Sequence, residues 1–263
     1  MLIIGERINA TRKAIGEAIE KKNAKFIQQE ALNQISAGAD LLDVNCGMNV
    51  KDEAKNMEWL VNTIQEVVDV PLVVDSPSAE VIESGLKQCR KKAIINSITG
   101  EKKRIEQILP LVEKYNTDVI ALTMNDKGMP NTAQERLTIA KEIINFAKAY
   151  NIPSNRIYFD ALVRPISTEP NQAKEFLEAI RLIKSILDTK TACGLSNISF
   201  GLPNRKLLNS TFLAMALFAG LDAAIIDPTD AQMISSLRSS EALLAQDEYC
   251  MNYIKMFRDS KPR

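Results

Sequence analysis

The sequence predicts a single (β/α)8 barrel, and three observations lead to that expectation. Eight short apolar runs each end in a polar residue, helix-like segments lie between them, and the chain has 263 residues. Parallel strands that are buried on both faces have continuous apolar sequences, and eight strand-helix units in about 250 residues are the size of this barrel. No repeat or boundary interrupts the pattern, so we expect one domain over residues 1–263.

The predicted strands are short and rich in Ile, Val, Leu and Ala. They cover residues 2–4, 41–45, 72–75, 93–96, 119–124, 157–160, 191–199 and 223–227. The seventh, 191–199, is expected to be a buried strand whose last residues enter a pocket. In a (β/α)8 barrel the active site lies at the carboxyl ends of the strands, which makes these eight ends the place to search for function.

The segments between the strands have helical periodicity. Met57, Leu60, Val61, Ile64 and Val68 fall on one face, which predicts an amphipathic helix that ends before Pro71. A helical region is predicted over about 11–37, with Gly38 as its C-terminal stop. Another is predicted around 105–112, with a bend at Pro110.

Composition excludes several classes of protein. The 33 basic and 33 acidic residues cancel, which removes the electrostatic argument for nucleic acid or an anionic membrane as the partner. The longest apolar run, Phe212 to Leu221, is shorter than the roughly 18 residues of a membrane span. The N-terminus has no signal-peptide pattern, so we expect a cytoplasmic protein. The four cysteines lie far apart without a Cys-x-x-Cys motif, which argues against a zinc site or a disulfide framework.

Two absences limit the chemistry. The sequence has no histidine, which excludes Ser-His-Asp and Cys-His triads and HExxH metal sites. No two of its ten glycines are closer than seven residues, so neither a GxGxxG motif nor a P-loop is present. Any acid-base chemistry must therefore use carboxylates, lysine, tyrosine or solvent.

The strand ends carry carboxylates and amides and no lysine. They are Glu6, Asn9, Asp43, Asn45, Asp75, Asn96, Thr123, Asn125, Asp160, Ser196, Asn197 and Asp227. Carboxylates accept hydrogen bonds from adjacent N–H groups, and amides both donate and accept, which suits the edge of a pterin. The same set is compatible with Mg²⁺ or Ca²⁺, with a carbohydrate, or with helix caps and loop hydrogen bonds. The residues alone indicate a barrel enzyme that binds a polar small molecule.

Several motifs, in the same order along nearly the whole chain, resemble the methyltetrahydrofolate:corrinoid methyltransferases of the pterin-binding barrel family. They are Met1-Leu-Ile-Ile-Gly-Glu-Arg-Ile-Asn9, Leu42-Asp-Val-Asn45, Met57-Glu-Trp-Leu60, Val74-Asp-Ser76, Ile94-Ile-Asn-Ser97, Leu122-Thr-Met124, Gly194-Leu-Ser-Asn-Ile-Ser199, Asn204-Arg205 and Thr211-Phe-Leu-Ala-Met-Ala216. The resemblance implies transfer of the N5 methyl group between 5-methyltetrahydrofolate and the cobalt of a corrinoid.

The resemblance also implies residue roles. Asp75, Asn96 and Asp160 match the positions that hydrogen-bond the pterin ring, and Asn197 matches the position whose amide hydrogen-bonds N5. The remaining substrate-binding candidates are residues that orient this network or meet the folate tail. They are Asp43, Ser196, Glu6, Asn9 and Arg205.

N5 is a poor leaving group unless it is protonated or hydrogen-bonded, and an amide cannot deliver a proton at ordinary pH. The resemblance therefore implies that Asn197 acts by preorganised hydrogen bonding, with the proton coming from solvent.

The resemblance implies a partner as well. The sequence has neither an Asp-x-His-x-x-Gly cobalamin motif nor a histidine to bind cobalt, so we expect a separate corrinoid protein to carry cobalamin. Phe200 stands where the acetogenic branch of the family has a polar residue, which leaves the identity of that protein open. Members of the family are commonly homodimers.

Three alternatives stay open at the level of sequence. A dihydropteroate synthase has the same fold, but its Phe-Ser-Asp-Gly loop and its phosphate-binding lysine and arginine positions have no match here. A non-catalytic pterin-binding subunit would keep the ring-binding residues without turnover. A metal-dependent barrel lyase or hydrolase would lose activity with a chelator.

Overall fold

The computed structural model describes residues 1–47 and 52–259, and it confirms the predicted (β/α)8 barrel. The eight parallel strands pair in sequence order, and the first closes the barrel against the last. They are β1 Leu2–Asn9, β2 Leu41–Asn45, β3 Leu72–Asp75, β4 Ile94–Ile98, β5 Asp118–Leu122, β6 Ile157–Asp160, β7 Lys190–Gly194 and β8 Ala223–Ile226.

Helices surround the barrel and cover the outer faces of the strands. They are α1 Lys13–Glu20, α2 Ala24–Ser36, α3 Glu53–Gln65, α4 Ala79–Gln88, α5 Lys102–Lys114, α6 Ala133–Ala149, α7 Gln172–Ile186, α8 Arg205–Ala219, α9 Ala231–Leu243 and α10 Met251–Asp259. Within these described ranges, none of the helices combines the length and the apolarity that crossing a membrane requires.

The barrel interior holds one apolar layer to which every strand contributes. Its members are Ile4, Leu41, Val73, Ile94, Ile120, Tyr158, Ala192 and Ala223. Side chains on a strand alternate between its two faces, so the residue two positions further along each strand faces the interior again. Those next residues include Glu6, Asp43, Asp75, Asn96 and Asp160. The strand register thereby sets a polar layer directly above an apolar one.

The predicted helical region over 11–37 consists of two helices. The segment forms α1 and α2, separated at Lys22 and Asn23. Lys22 adopts a left-handed conformation with φ of 51°. The side chain of Asn23 caps the second helix by accepting a hydrogen bond from Phe26 N at 3.3 Å. Asparagine at an N-cap competes with continuous helix, and this local preference outweighs the apolar periodicity. Helix α5, in contrast, continues through Pro110.

The seventh strand is shorter than predicted. β7 ends at Gly194, and Leu195–Ser199 forms a 3₁₀ turn that leads towards α8. Ser196 and Asn197 therefore lie in a turn beyond the strand. Parallel pairing ends at the same place, because Gly194 is the last residue of β7 that pairs with β8. Because this segment does not pair with a neighbouring strand, its backbone makes local hydrogen bonds such as Phe200 N to Asn197 O at 3.2 Å.

Candidate active site

A cavity of about 640 Å³ opens at the carboxyl ends of the strands. Its volume lies in the range of typical small-molecule sites. The residues that line it come from β1, β2, β3, β4, β7 and β8 and from the segments that follow β1 and β7. They are Glu6, Asn9, Thr11, Arg12, Asp43, Asp75, Asn96, Gly194, Ser196, Asn197, Phe200, Arg205 and Ile225.

Two amide-carboxyl pairs form part of its floor. Asn96 Nδ2 donates a hydrogen bond to Asp43 Oδ1 at 3.2 Å, and Asn45 Nδ2 donates to Asp75 Oδ2 at 2.8 Å. The strand register places Asn45 beside Asp75 and Asp75 beside Asn96 on adjacent strands, whereas the bond from Asn96 on β4 to Asp43 on β2 reaches across β3. With Asn96 Nδ2 engaged by Asp43, the side-chain oxygen of Asn96 remains an acceptor for a ligand.

Burial raises the pKa of both floor carboxyls, Asp43 and Asp75. Burial raises the pKa of Asp43 well above its usual range, and the negative charges of Asp75 and Glu6 raise it further, against the Asn96 hydrogen bond. Burial also raises the pKa of Asp75, opposed by the hydrogen bond from Asn45 and the positive charge of Arg104. A floor of this kind offers both donors and acceptors, as a heterocycle with mixed N–H and carbonyl groups requires.

The β1 side of the cavity is an ion-pair network. Arg12 Nη2 lies 3.6 Å from Glu6 Oε1 and 3.8 Å from Asp227 Oδ2. Arg7 donates to Asp227 Oδ2 at 2.9 Å and forms a salt bridge with Glu30. Burial nevertheless raises the pKa of Glu6 to about 7, against the opposing charge of Arg12. Glu6 therefore changes its charge near neutral pH.

Asp160 lies at the end of β6, beside β7, and is fixed by backbone donors. Its Oδ1 accepts a hydrogen bond from Leu162 N at 2.7 Å, and Gly194 N is a second donor. Burial raises the pKa of Asp160 to about 6 against these two hydrogen bonds. Its carboxylate is therefore the charged form at pH 7 and becomes neutral in mild acid.

The segment after β7 forms the outer rim. Arg205 donates to the carbonyl oxygen of Ser196 at 2.8 Å and to Ser199 Oγ at 2.9 Å, and its guanidinium lies 4.5 Å from the ring centroid of Phe200. These contacts tie α8 to the 3₁₀ turn. The side chain of Asn197 is exposed, and within the described ranges it forms no intramolecular hydrogen bond. Its amide remains available to a ligand.

The structure brings together eight of the nine predicted site residues in the lining. They are Glu6, Asn9, Asp43, Asp75, Asn96, Ser196, Asn197 and Arg205. The ninth, Asp160, belongs to the same polar layer but lies outside the lining that the described residues form. The other predicted strand-end residues have structural contacts: Thr123 Oγ1 donates to the carbonyl oxygen of Asp160 at 3.1 Å, and Asn125 forms a turn with Gly128.

Sequence reasoning did not select Thr11 and Arg12. Both follow the end of β1, and the only signal was a cation close in sequence to the acidic end of that strand, at Glu6. Arg12 contacts Asp227, which is distant along the chain, and no local sequence pattern predicts that contact.

Comparisons with known proteins agree with this geometry. Residues 5–227 match the family of pterin binding enzymes. The chain is 36% identical to methylcorrinoid:tetrahydrofolate methyltransferase from Eubacterium limosum, over 99% of this chain and 97% of that protein. It is 33% identical to methionine synthase from Mycobacterium tuberculosis over 86% of this chain, which corresponds to 20% of that larger protein.

A solved structure supports the fold. Dihydropteroate synthase from Clostridium difficile, crystallised in the presence of pteroic acid, superposes with a TM-score of 0.74 over 92% of this chain and 96% of that one, at 18% identity. At this identity the likeness concerns the fold alone. The family match and the near full-length relative are similar to this chain in sequence as well, and they confirm the predicted resemblance. The chain belongs to the pterin-binding enzyme family and, within it, to the methyltransferases that act with tetrahydrofolate and a corrinoid.

Proposed function

We propose that this protein transfers a methyl group from a methylated corrinoid, carried by a separate protein, to N5 of tetrahydrofolate, and catalyses the reverse reaction when the concentrations favour it. The observation that carries the proposal is the cavity itself: an amide-carboxyl floor below a turn with the exposed, uncharged Asn197. The direction follows the name of the Eubacterium limosum relative.

The floor suits the pyrimidine edge of the pterin. Asp75 and Asn96 are adjacent acceptors in the lining, and Asp160 belongs to the same polar layer on β6, two strands beyond Asn96. A pterin presents neighbouring N–H groups and a carbonyl, so paired acceptors beside a donor give it one orientation. In that orientation N5 would lie near the segment that follows β7.

Asn197 would stabilise the charge that develops on N5. When the methyl group leaves towards cobalt, N5 keeps the electron pair of the N–C bond and gains a proton from solvent; in the reverse direction, the N5 lone pair attacks the methyl group and the proton departs. An amide N–H cannot supply that proton but can hydrogen-bond N5 in the transition state. The corrinoid cobalt supplies or accepts the methyl group.

We propose that the corrinoid protein docks on the open end of the barrel, because the cavity opens there. Phe200 is 46% exposed at this rim, and the guanidinium of Arg205 packs against its ring. An exposed aromatic side chain beside a cation is typical of the centre of an interface.

A homodimer would use α8. Leu207, Met215 and Phe218 are all exposed and fall on one face of this helix, and Phe218 is 68% exposed. A second copy is the proposed partner for this apolar stripe. Sedimentation velocity of Met215→Glu/Phe218→Glu should then show a monomer, while Leu243→Glu on α9 should sediment as the wild type. A wild-type monomer at micromolar concentration would contradict the proposal.

Cobalt absorbance tests the activity. The purified chain is mixed with tetrahydrofolate and methylcobalamin, or with 5-methyltetrahydrofolate and Co(I) cobalamin, and the cobalt spectrum is followed. Turnover in both directions, insensitive to EDTA, is expected. Binding of 5-methyltetrahydrofolate without turnover would instead indicate a non-catalytic pterin-binding subunit, and loss of turnover with EDTA would indicate a metal-dependent enzyme.

A further inference from the structure

Arg104 on α5 makes an unusual set of contacts for a cation beside a ligand cavity. Its donors go to backbone carbonyl oxygens: Nε and Nη2 to Ser97 at 2.9 and 2.7 Å, Nη2 to Ser76 at 2.9 Å, and Nη1 to Pro77 at 2.5 Å. Within the described part of the chain it forms no salt bridge with a carboxylate. Arg104 does not line the cavity.

The three carbonyl groups belong to the segments that immediately follow two pterin-facing residues. Ser76 and Pro77 come directly after Asp75, and Ser97 comes directly after Asn96. One backbone hydrogen bond, Ser76 N to Asn96 O at 3.1 Å, joins the same two strand ends. The guanidinium spans both segments because its planar fork offers several donors in fixed directions, which a lysine ammonium lacks.

We infer that Arg104 is a positioning residue for the pterin, because it fixes the spacing between Asp75 and Asn96 by binding the backbone behind both of them. The inference rests on the proposed function. A ligand that must meet two acceptors at once loses affinity when their separation varies, since each binding event then includes the cost of ordering them. The positive charge of Arg104 also favours the ionised form of Asp75.

The chain offers a matched control at the other end of the barrel. Arg156 binds the backbone carbonyls of Thr117 and Val112 through Nε and Nη2, in front of β5 and β6, and its Nε also lies 3.6 Å from Asp118 Oδ1. Both arginines therefore link backbone segments through charged hydrogen bonds, but only Arg104 lies at the strand ends that form the cavity. The same substitution should destabilise the protein at either position and weaken ligand binding only at Arg104.

The test compares Arg104→Lys with Arg156→Lys by calorimetry with 5-methyltetrahydrofolate and by urea unfolding. We expect both to lose stability, and only Arg104→Lys to bind about tenfold more weakly, the effect of losing one or two charge-assisted contacts. In turnover, KM should rise while kcat stays within about threefold, since Asn197 is untouched. Arg104→Gln gives the same comparison should the lysine variant not fold.

Chemical rescue separates positioning from general stability. Millimolar guanidinium should restore part of the affinity of Arg104→Ala and leave that of Arg156→Ala unchanged. Equal affinity of the wild type and Arg104→Lys, or equal weakening by both lysine variants, would overturn the inference alone. A wild-type chain that does not bind 5-methyltetrahydrofolate would overturn the proposed function, and the inference with it.

Discussion

Asn96 and Asp43 are joined by a hydrogen bond of 3.2 Å from Nδ2 of the amide to Oδ1 of the carboxyl. Asp43 is buried, and burial raises the pKa of its carboxyl well above the usual range, against the hydrogen bond from Asn96. The bond decides which end of the Asn96 amide faces the cavity. A freely turning amide would present donor or acceptor to the ligand with similar frequency.

Replacing Asp43 tests this orientation. Asp43→Leu removes the acceptor, so the Asn96 amide can turn, and we expect 5-methyltetrahydrofolate affinity to fall about tenfold. Asp43→Asn keeps an acceptor oxygen of similar shape and should bind within about twofold of wild type, because that oxygen can still accept the hydrogen bond from Asn96. Calorimetry of both variants provides the measurement; equal loss in the two would show that orientation is not the role of Asp43.

Asn197→Ala should separate catalysis from binding. Loss of one preorganised donor to N5 is expected to lower methyl transfer by about 10² to 10³-fold, the range for a single such group. Affinity for the folate should fall less, because the floor holds the ring. Stopped-flow absorbance of cobalt measures the rate, and Asn171→Ala, an exposed position at the start of α7, is the control. Near-normal turnover would refute the assignment.

The pH dependence of pterin binding should follow Asp160. Burial raises the pKa of Asp160 to about 6. In the proposed site its charged form accepts hydrogen bonds from the ring N–H groups. Affinity should therefore hold above pH 6 and decline as the pH falls through that value, approaching tenfold for each further unit. Asp160→Asn should bind more weakly at pH 8, because an amide can mispair, and should show a shallower decline.

Calorimetry at pH 5 and pH 8 checks this expectation, with Asp126→Asn in an exposed loop as the control. A wild-type affinity that is unchanged over that range, or an Asp160→Asn variant that binds as tightly as wild type at pH 8, would contradict the role of Asp160.

Glu6 should make the protein less stable as pH rises. Burial raises its pKa to about 7 in the folded chain, above the 4.5 of the free side chain, so the folded state binds more protons between these values. The free energy of unfolding should therefore fall from pH 4.5 to pH 7 and not recover above it. Glu6→Gln should remove about 2 kcal/mol of this dependence, allowing for partial exposure of the side chain.

Urea unfolding at pH 5 and pH 8 measures the effect. The control is Glu17→Gln, the same substitution at an exposed position of α1. Glu6→Gln should be more stable than wild type at pH 8 and nearly equal at pH 5. The opposite order at pH 8 would mean that the ion pair with Arg12 outweighs burial.

The barrel was predictable from sequence because strands that are buried on both faces have uninterrupted apolar sequences. Runs such as Leu72-Val-Val-Asp75 have no alternation, and each ends where the backbone leaves the apolar interior. The polar layer is predictable from the same strand sequences, since Asp43, Asp75 and Asn96 stand two positions beyond apolar interior residues. The polar residues of each run therefore identified most of the cavity lining.

The ends of elements were less predictable. The division of 11–37 into α1 and α2 depends on one cap at Asn23, and the end of β7 at Gly194 depends on where pairing with β8 stops. A helix cap contributes about 1 kcal/mol to stability. It can end a helix at a position where the apolar periodicity of the sequence continues without a break.

The sequence by itself determined the strand order, the residue types at the strand ends and the absence of histidine chemistry. Only the tertiary structure decided which groups meet: Arg12 with Asp227, Asn96 with Asp43, and Arg104 with the carbonyls of Ser76 and Ser97. It also decided the charge states, since the raised pKa of Glu6 arises from its surroundings. The physical reason is that burial of apolar strands is written into each short segment, whereas hydrogen bonds and electrostatic shifts depend on distances between segments far apart in the chain.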